Sequence, residues 1–312
     1  MFEKSDVVWD FAQLACHRLA MWKVRHFHRL VIAKSPQAFS LTTRRNSLSA
    51  TCMMIDRPIL MDLTLALMRA TFKLDQVQDD GLTTVGTGWL VTMPAATAGH
   101  APQFALVTAG HVLDRMAKPH MMIHWRREDG TGRWHREPAP LQIRNDDASP
   151  LWVRHPERDI AAIALHPPDP VRDWAVGFDH LADEASFQAH DVQPGDEMLV
   201  LGYPRGLSAN EIGFPILRSG RVASYPLWPS ADFPSFLMDF AVFAGNSGGP
   251  VYLIDALRKK PGGDGKPQAA FVAGLLAQQV VMTDERLEIG IVLHASFIRQ
   301  CLRLLAARQA EV

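Results

Sequence analysis

The sequence predicts an all-β body built in two halves, closed by a C-terminal α-helix and preceded by an N-terminal extension of different character. Three observations carry this. The 312 residues include 21 Gly and 21 Pro, enough turn formers for many short strands. Short β-prone runs recur from about residue 69 to residue 295, and the irregular stretch 167–195 is the natural connection between a first half (about 69–180) and a second (about 190–295). The tail at 296–310 places Phe297, Ile298, Cys301, Leu302 and Leu305 at helical spacing, with Arg299, Arg303 and Arg308 on the other side.

Composition narrows the function classes. A content of 47% apolar and 21% charged residues is ordinary for a globular protein, and a net charge of −1 gives no field for nucleic acid. Cys16, Cys52 and Cys301 are far apart, with no CxxC pair. That speaks against a disulfide framework or a cysteine zinc site and fits a reducing compartment. No apolar run reaches the roughly 18 residues of a membrane span. Acids at Glu3, Asp6 and Asp10 do not suit a secretory leader, so a cytoplasmic location is expected. No metal spacing and no phosphate loop is present, and no cofactor is expected. The oligomeric state is left open.

Residues 1–52 carry eight Lys/Arg against three acids. Residues 7–33 could form a basic amphipathic helix, and 35–51 reads as a Ser/Thr-rich linker. A poorly ordered or partly helical extension is the expectation, ahead of a domain spanning 53–312; translation from Met53 or Met54 is the alternative. His26 and His28 are read as surface residues.

The apolar residues of 59–70 fit a helical and a period-2 spacing in part; a short helix leading into a strand at about 69–77 is the expectation. Asp79-Asp80-Gly81 marks a turn. Residues 85–91 and 104–108 form a β-hairpin with a long loop. Strands are expected at 121–125 and 134–143 about a turn at Gly130. His120 and His124, four apart on a strand, share a face without metal geometry and are read as surface residues. Further strands fall at 160–165, within 195–206 between turn residues, and at 216–224, 236–240, 251–254, 271–279 and 287–293, with an exposed hairpin tip at 259–266.

The most chemical stretch is Ala244-Gly245-Asn246-Ser247-Gly248-Gly249-Pro250. Glycines on both sides of a serine allow a sharp turn that brings two N–H groups towards one point. A nucleophilic serine needs such donors to meet the oxyanion of the attacked carbonyl, and the backbone N–H groups of Gly245 and Ser247 are the candidates. A glycine-rich turn with an incidental serine is the plainer alternative. A base and an orienting acid are also required. His111 ends the second strand of the hairpin in a small-residue turn. Asp159 heads a buried β-run, where an unpaired carboxylate would be costly. His111, Asp159 and Ser247 can therefore act as base, orienter and nucleophile.

The segments GTGWLV (86–91), LVTAGHV (106–112), RDIAAIAL (158–165), GDEMLVLGYPRG (195–206) and FAGNSGGPVY (243–252) resemble the marker segments of trypsin-like serine peptidases. They are closer to the bacterial, HtrA-type branch than to digestive enzymes. The resemblance covers about residues 60–305. It implies a chymotrypsin-like fold of two six-stranded antiparallel barrels, with His111 and Asp159 from the first and Ser247 from the second. It implies a serine endopeptidase acting on protein or peptide substrates through an acyl-enzyme. It also implies a substrate pocket with Ala241 at its floor and Leu276, Ala277 and Gly290 along its walls, hence an uncharged P1 residue.

Three departures are informative. Asn246 stands where the digestive enzymes have the Asp that pairs with a newly cut N-terminus, so no activation by that route is expected. No stretch for a PDZ domain follows the terminal helix. The hydroxyl that the family places near the catalytic Asp maps to Ala277, so that support is missing or replaced. His294 is read as structural.

Two rivals remain at this level. Gly245-Asn246-Ser247-Gly248-Gly249 also spells the α/β-hydrolase elbow, with Asp284 and His294 following, but the residues after Pro250 read as strand and not helix. A catalytically silent protease-like binding module is the second.

Overall fold

The structure is a computed structural model and describes residues 59–94, 103–259, 267–282 and 285–310. The expectations for residues 1–52 and for the 259–266 hairpin tip lie almost wholly outside those residues.

Helix α1 (Ile59–Ala70) buries Leu63, Leu67 and Ala70, one stripe at helical spacing. It runs directly into β1 (Thr71–Val77), close to the expected boundary. The first half then adds β2 (Thr83–Thr92), β3 (Phe104–Thr108), β4 (His120–Glu128), β5 (Trp134–Gln142), β6 (Val153–Arg154) and β7 (Ala161–Leu165). A one-turn helix, α2 (Gly110–Asp114), follows β3. The strands form a seven-stranded antiparallel sheet ordered β5-β4-β1-β2-β3-β7-β6.

This half differs from the closed six-stranded barrel expected of it. Among the described residues its two edges meet through an antiparallel bridge between Arg144 and Pro150 and one bond from Leu151 N–H to the Ile143 carbonyl at 3.0 Å. The edge strand β5 carries Pro138 and Pro140, which cannot donate to a ladder.

The second half is a closed barrel, β10-β13-β12-β11-β8-β9. Its strands are β8 (Glu197–Gly202), β9 (Ile216–Val222), β10 (Ser235–Asp239), β11 (Pro250–Lys259), β12 (Pro267–Met282) and β13 (Glu285–His294). The last three run longer than their β-prone cores suggested. The connection between the halves is more ordered than its sequence implied. It holds two 3-10 turns and helix α3 (Glu184–Ala189), whose Asp183 and Ser186 form a reciprocal N-terminal cap.

Helix α4 (Ala295–Ala310) buries the five residues picked out by periodicity. Each such apolar side chain stabilises by about 1.5–3 kcal/mol. The helix lies against the first half, where Cys301 Sγ sits 3.6 Å from the Val153 carbonyl and Arg308 reaches the Trp152 carbonyl.

One reading of a side chain is corrected. His120 is exposed, but His124 is only 7% exposed. Its ring bonds Asp75 at 2.7 Å on one side and Arg136 at 2.6 Å on the other. β4 lies between β1 and β5. A polar residue on such a central strand is covered by its neighbours' side chains and must find partners there.

Candidate active site

Strand register brings the first two site residues together. β3 and β7 pair antiparallel with Thr108 opposite Ala161. The end of β3 therefore lies beside the start of β7. His111, three residues past Thr108, and Asp159, two residues before Ala161, emerge at the same edge. His111 Nδ1 lies 2.5 Å from Asp159 Oδ2, and the His111 backbone N–H donates to Oδ1 at 2.8 Å. Gly110 N–H donates to the Asp159 carbonyl at 3.2 Å. The turn leading to Asp159 is itself tied down. His155 Nδ1 accepts the N–H groups of Glu157 and Arg158, and its Nε2 meets Gln300 of α4 at 3.0 Å.

Burial works against the Asp159 carboxylate, but the His111 ring and N–H bonds and the nearby Arg154 charge hold it below the usual carboxylate range. Arg154 Nη2 sits 3.4 Å from Asp159 Oδ1 and is anchored on its other side by Asp114. A side chain on Gly110 would fall 2.9 Å from Asp159 Oδ1 and 3.0 Å from Arg154 Cζ. The glycine before His111 thus leaves room for this arginine. Ala277 supplies no hydroxyl, and Arg154 is the further side chain that bonds the acid.

The serine loop is fixed to the same region by its backbone. Thr87 N–H donates to the Ser247 carbonyl at 2.9 Å, and Thr87 Oγ1 donates to the Gly245 carbonyl at 2.7 Å. Thr108 Oγ1 in turn donates to the Thr87 carbonyl at 2.7 Å. Gly248 has φ +91, and a Cβ there would lie 2.1 Å from Thr87 O and 3.0 Å from Ala109 N. The glycine is therefore required for the serine loop to lie against the segment that carries His111. Neither Gly245 N–H nor Ser247 N–H donates to a protein acceptor among the described residues. Among the same residues no hydrogen bond joins the Ser247 hydroxyl to the His111 ring. The loop is brought alongside, while the final contact of the expected triad is not made.

Of the four expected pocket residues, Leu276 lies beside Gly290. Gly290 and Ala277 are buried, Leu276 is fully so, and Ala241 is half-buried with its carbonyl taken by Arg218 Nη1 at 2.6 Å. A Cβ on Gly290 would lie 2.7 Å from the Phe240 ring and 3.1 Å from both Leu276 and Val242. The space that the missing side chain leaves is therefore lined closely by apolar groups.

His294, read as structural, packs its ring against Phe187 and Phe236, and burial pushes it down to about 4. Among the described residues no cluster of three His, Cys, Asp or Glu side chains could hold a metal ion. No described helix is long and apolar enough to cross a membrane.

Sequence reasoning missed Thr87, Thr108 and Arg154. The first two stand inside the marker segments GTGWLV and LVTAGHV. Arg154 has no local signal beyond the glycine at position 110.

The trypsin-like peptidase domain family matches residues 86–256, more than half of the chain, and the chain belongs to that family. No curated protein is matched. Among solved structures, an HtrA-type protease, AlgW, with a tripeptide is 16% identical with a TM-score of 0.46, the match covering 80% of this chain and 63% of that one. A protease from M. tuberculosis in its active form is 19% identical with a TM-score of 0.42, over 86% and 93% of the two chains. The protease Anisep from Arthrobacter nicotinovorans is 14% identical with a TM-score of 0.45, over 77% and 96%. The chain spans less than two thirds of the length of AlgW.

Proposed function

We propose that the protein is a serine endopeptidase that cleaves protein or peptide substrates through an acyl-enzyme. The observation that carries this reading is the doubly bonded His111–Asp159 pair beside a serine loop whose Gly245 and Ser247 amides are unclaimed. Asp159 fixes the ring tautomer so that Nε2 is the free base. His111 takes the Ser247 proton as Oγ attacks the carbonyl carbon, and the oxyanion is met by the two amides. The ring then returns the proton to the leaving amine, and water repeats the sequence on the ester. The reducing-compartment composition supports a cytoplasmic setting.

One observation favours the silent-module reading, namely the missing bond between Ser247 Oγ and His111. Such bonds are often loose without substrate. A fluorophosphonate probe decides. We expect labelling of wild type at Ser247 and none of Ser247→Ala. A folded wild-type protein that takes up no label would leave only the binding module.

A further inference from the structure

Arg126, at the centre of β4, is fully buried, and no carboxylate pairs with it among the described residues. Burying a cation without a counter-charge is costly unless oxygens replace its water. Here they do. Nη2 donates to the carbonyls of Met68, Arg69 and Thr71 at 3.1, 2.9 and 2.7 Å, the open C-terminal end of α1. Nη1 donates to the Gly213 carbonyl and to the Tyr203 hydroxyl, both at 2.9 Å. The rings of Phe72 and Phe214 lie 4.6 Å from the guanidinium carbon. One side chain of the first sheet thereby holds the end of α1 and a loop of the second barrel.

That loop, 203–206, is the one against which the serine loop is set. The fully buried Tyr203 hydroxyl accepts from Arg126 Nη1 and lies 3.0 Å from the Thr71 and Gly213 carbonyls that Arg126 also bonds, and the Tyr203 backbone N–H donates to Thr87 Oγ1 at 3.2 Å. A Cβ on Gly245 would lie 2.3 Å from the Tyr203 carbonyl. Two residues on, Arg205 has φ +53, a left-handed conformation that a non-glycine residue adopts at a cost. In that conformation its N–H donates to the Ala244 carbonyl at 2.6 Å. In a trans peptide the carbonyl and the following N–H point opposite ways. Holding the Ala244 carbonyl towards Arg205 therefore turns the Gly245 N–H away from it, leaving that N–H unclaimed by protein. Asn246 offers no charge to do this work, so the peptide is set from outside its own loop.

We propose that Arg126 is a positioning residue for the oxyanion loop, acting through the Tyr203 hydroxyl on the 203–206 turn whose Arg205 N–H aims the Ala244–Gly245 peptide. This rests on the serine-peptidase reading for its catalytic meaning but not for its structural content. Arg126→Met tests it directly. Tyr203→Phe, which removes one hydroxyl and leaves Arg126 its four carbonyls, tests it where the first variant does not fold.

Two readouts separate the inference from the reading it rests on. Hydrogen exchange at the Arg205 amide needs no activity, and we expect its protection to fall at least tenfold in Tyr203→Phe, more than at amides far from the 203–206 turn. Fluorophosphonate labelling of Ser247 should slow about 10–100-fold in the same variant, a fraction of the loss seen when an oxyanion donor is removed outright. A peptide cleaved by wild type should bind Ser247→Ala and Ser247→Ala/Tyr203→Phe equally, so that the loss lies in kcat and not in KM. Unchanged exchange at Arg205, or wild-type labelling in a folded variant, overturns the proposal. Wild type that is never labelled overturns the peptidase reading, and the exchange result then stands alone for or against Arg126.

Discussion

Asp159 is gripped on both carboxylate oxygens by a single residue, His111, through its ring Nδ1 at 2.5 Å and its backbone N–H at 2.8 Å. The second bond fixes the rotation of the carboxylate, and the first then fixes the ring. Asp159→Asn keeps the shape but offers an NH2 group to a ring that needs an acceptor at Nδ1. The imidazole then holds its proton on Nε2, facing the nucleophile, and cannot act as base. We expect labelling or cleavage rates to fall by about 10⁴ with little change in melting temperature. A drop below tenfold in the folded variant would show that the pair does not serve a serine nucleophile.

Arg154 adds a charge to this pair. Its cation faces Asp159 on one side and is partly neutralised by Asp114 on the other. That cation helps to hold the Asp159 carboxylate below the usual range. Arg154→Met should therefore slow labelling of Ser247, by no more than about tenfold because the arginine side chain is 45% exposed, and the difference should shrink at high salt. A loss that does not depend on salt would show that Arg154 acts by packing alone.

What could be read from the sequence follows the range of the forces involved. The pairing of His111 with Asp159 was legible because each sits beside the end of a β-run among small residues, a local pattern. Helix α4 was legible because burial on one side leaves a period. The closure of the first half was not, because whether edge strands meet depends on residues such as Arg144 and Pro150 coming into register across a loop. His124 was misjudged for a related reason. Its partners Asp75 and Arg136 lie on the two neighbouring strands, which only the order β5-β4-β1 brings together. Arg154 and Arg126 were invisible because a charge with distant partners reads in sequence as a solvated one.

Gly248 tests how the serine loop is seated. A Cβ at this left-handed position would lie 2.1 Å from the Thr87 carbonyl and 2.4 Å from Thr108 Oγ1. Backbone oxygen cannot move aside cheaply. Gly248→Ala should cost roughly 2–4 kcal/mol in urea unfolding and abolish labelling in whatever fraction remains folded. Gly130→Ala, at a turn where a Cβ meets nothing within 4 Å, is the control and should change neither. Equal stability of the two variants would mean that the serine loop is not held against Thr87.

His294 gives a pH dependence of stability. It is 4% exposed, and burial pushes it down to about 4, with Glu184 working weakly the other way. Unfolded, the ring protonates near its ordinary 6.5; folded, it stays neutral until about 4. Between those values the unfolded chain binds more protons, so stability falls as pH drops from 6.5 to 4. The loss approaches about 3 kcal/mol at the lower end. Urea unfolding at pH 7 and pH 4.5 should show this in wild type. His294→Gln should show a clearly smaller drop between the same two pH values, whatever its stability at pH 7. Parallel drops in both proteins would place the acid sensitivity elsewhere.

The space beside Gly290 sets the last expectation. Phe240, Val242 and Leu276 line the point where a side chain on Gly290 would begin, the phenyl ring nearest at 2.7 Å. A pocket whose wall glycine already faces a ring has room for a small or slender P1 residue and not for a bulky one. Phe240 is 6% exposed, and truncating it removes the ring from behind that wall. Phe240→Ala should cost about 3 kcal/mol of stability. In a peptide library it should widen cleavage from small apolar P1 residues to Leu, Met and Phe, with no gain for Lys or Arg, because the three groups nearest that point are apolar. A wild-type preference for aromatic P1 residues, or a profile unmoved by the truncation, would mean that the substrate pocket lies elsewhere than between Ala241 and Gly290.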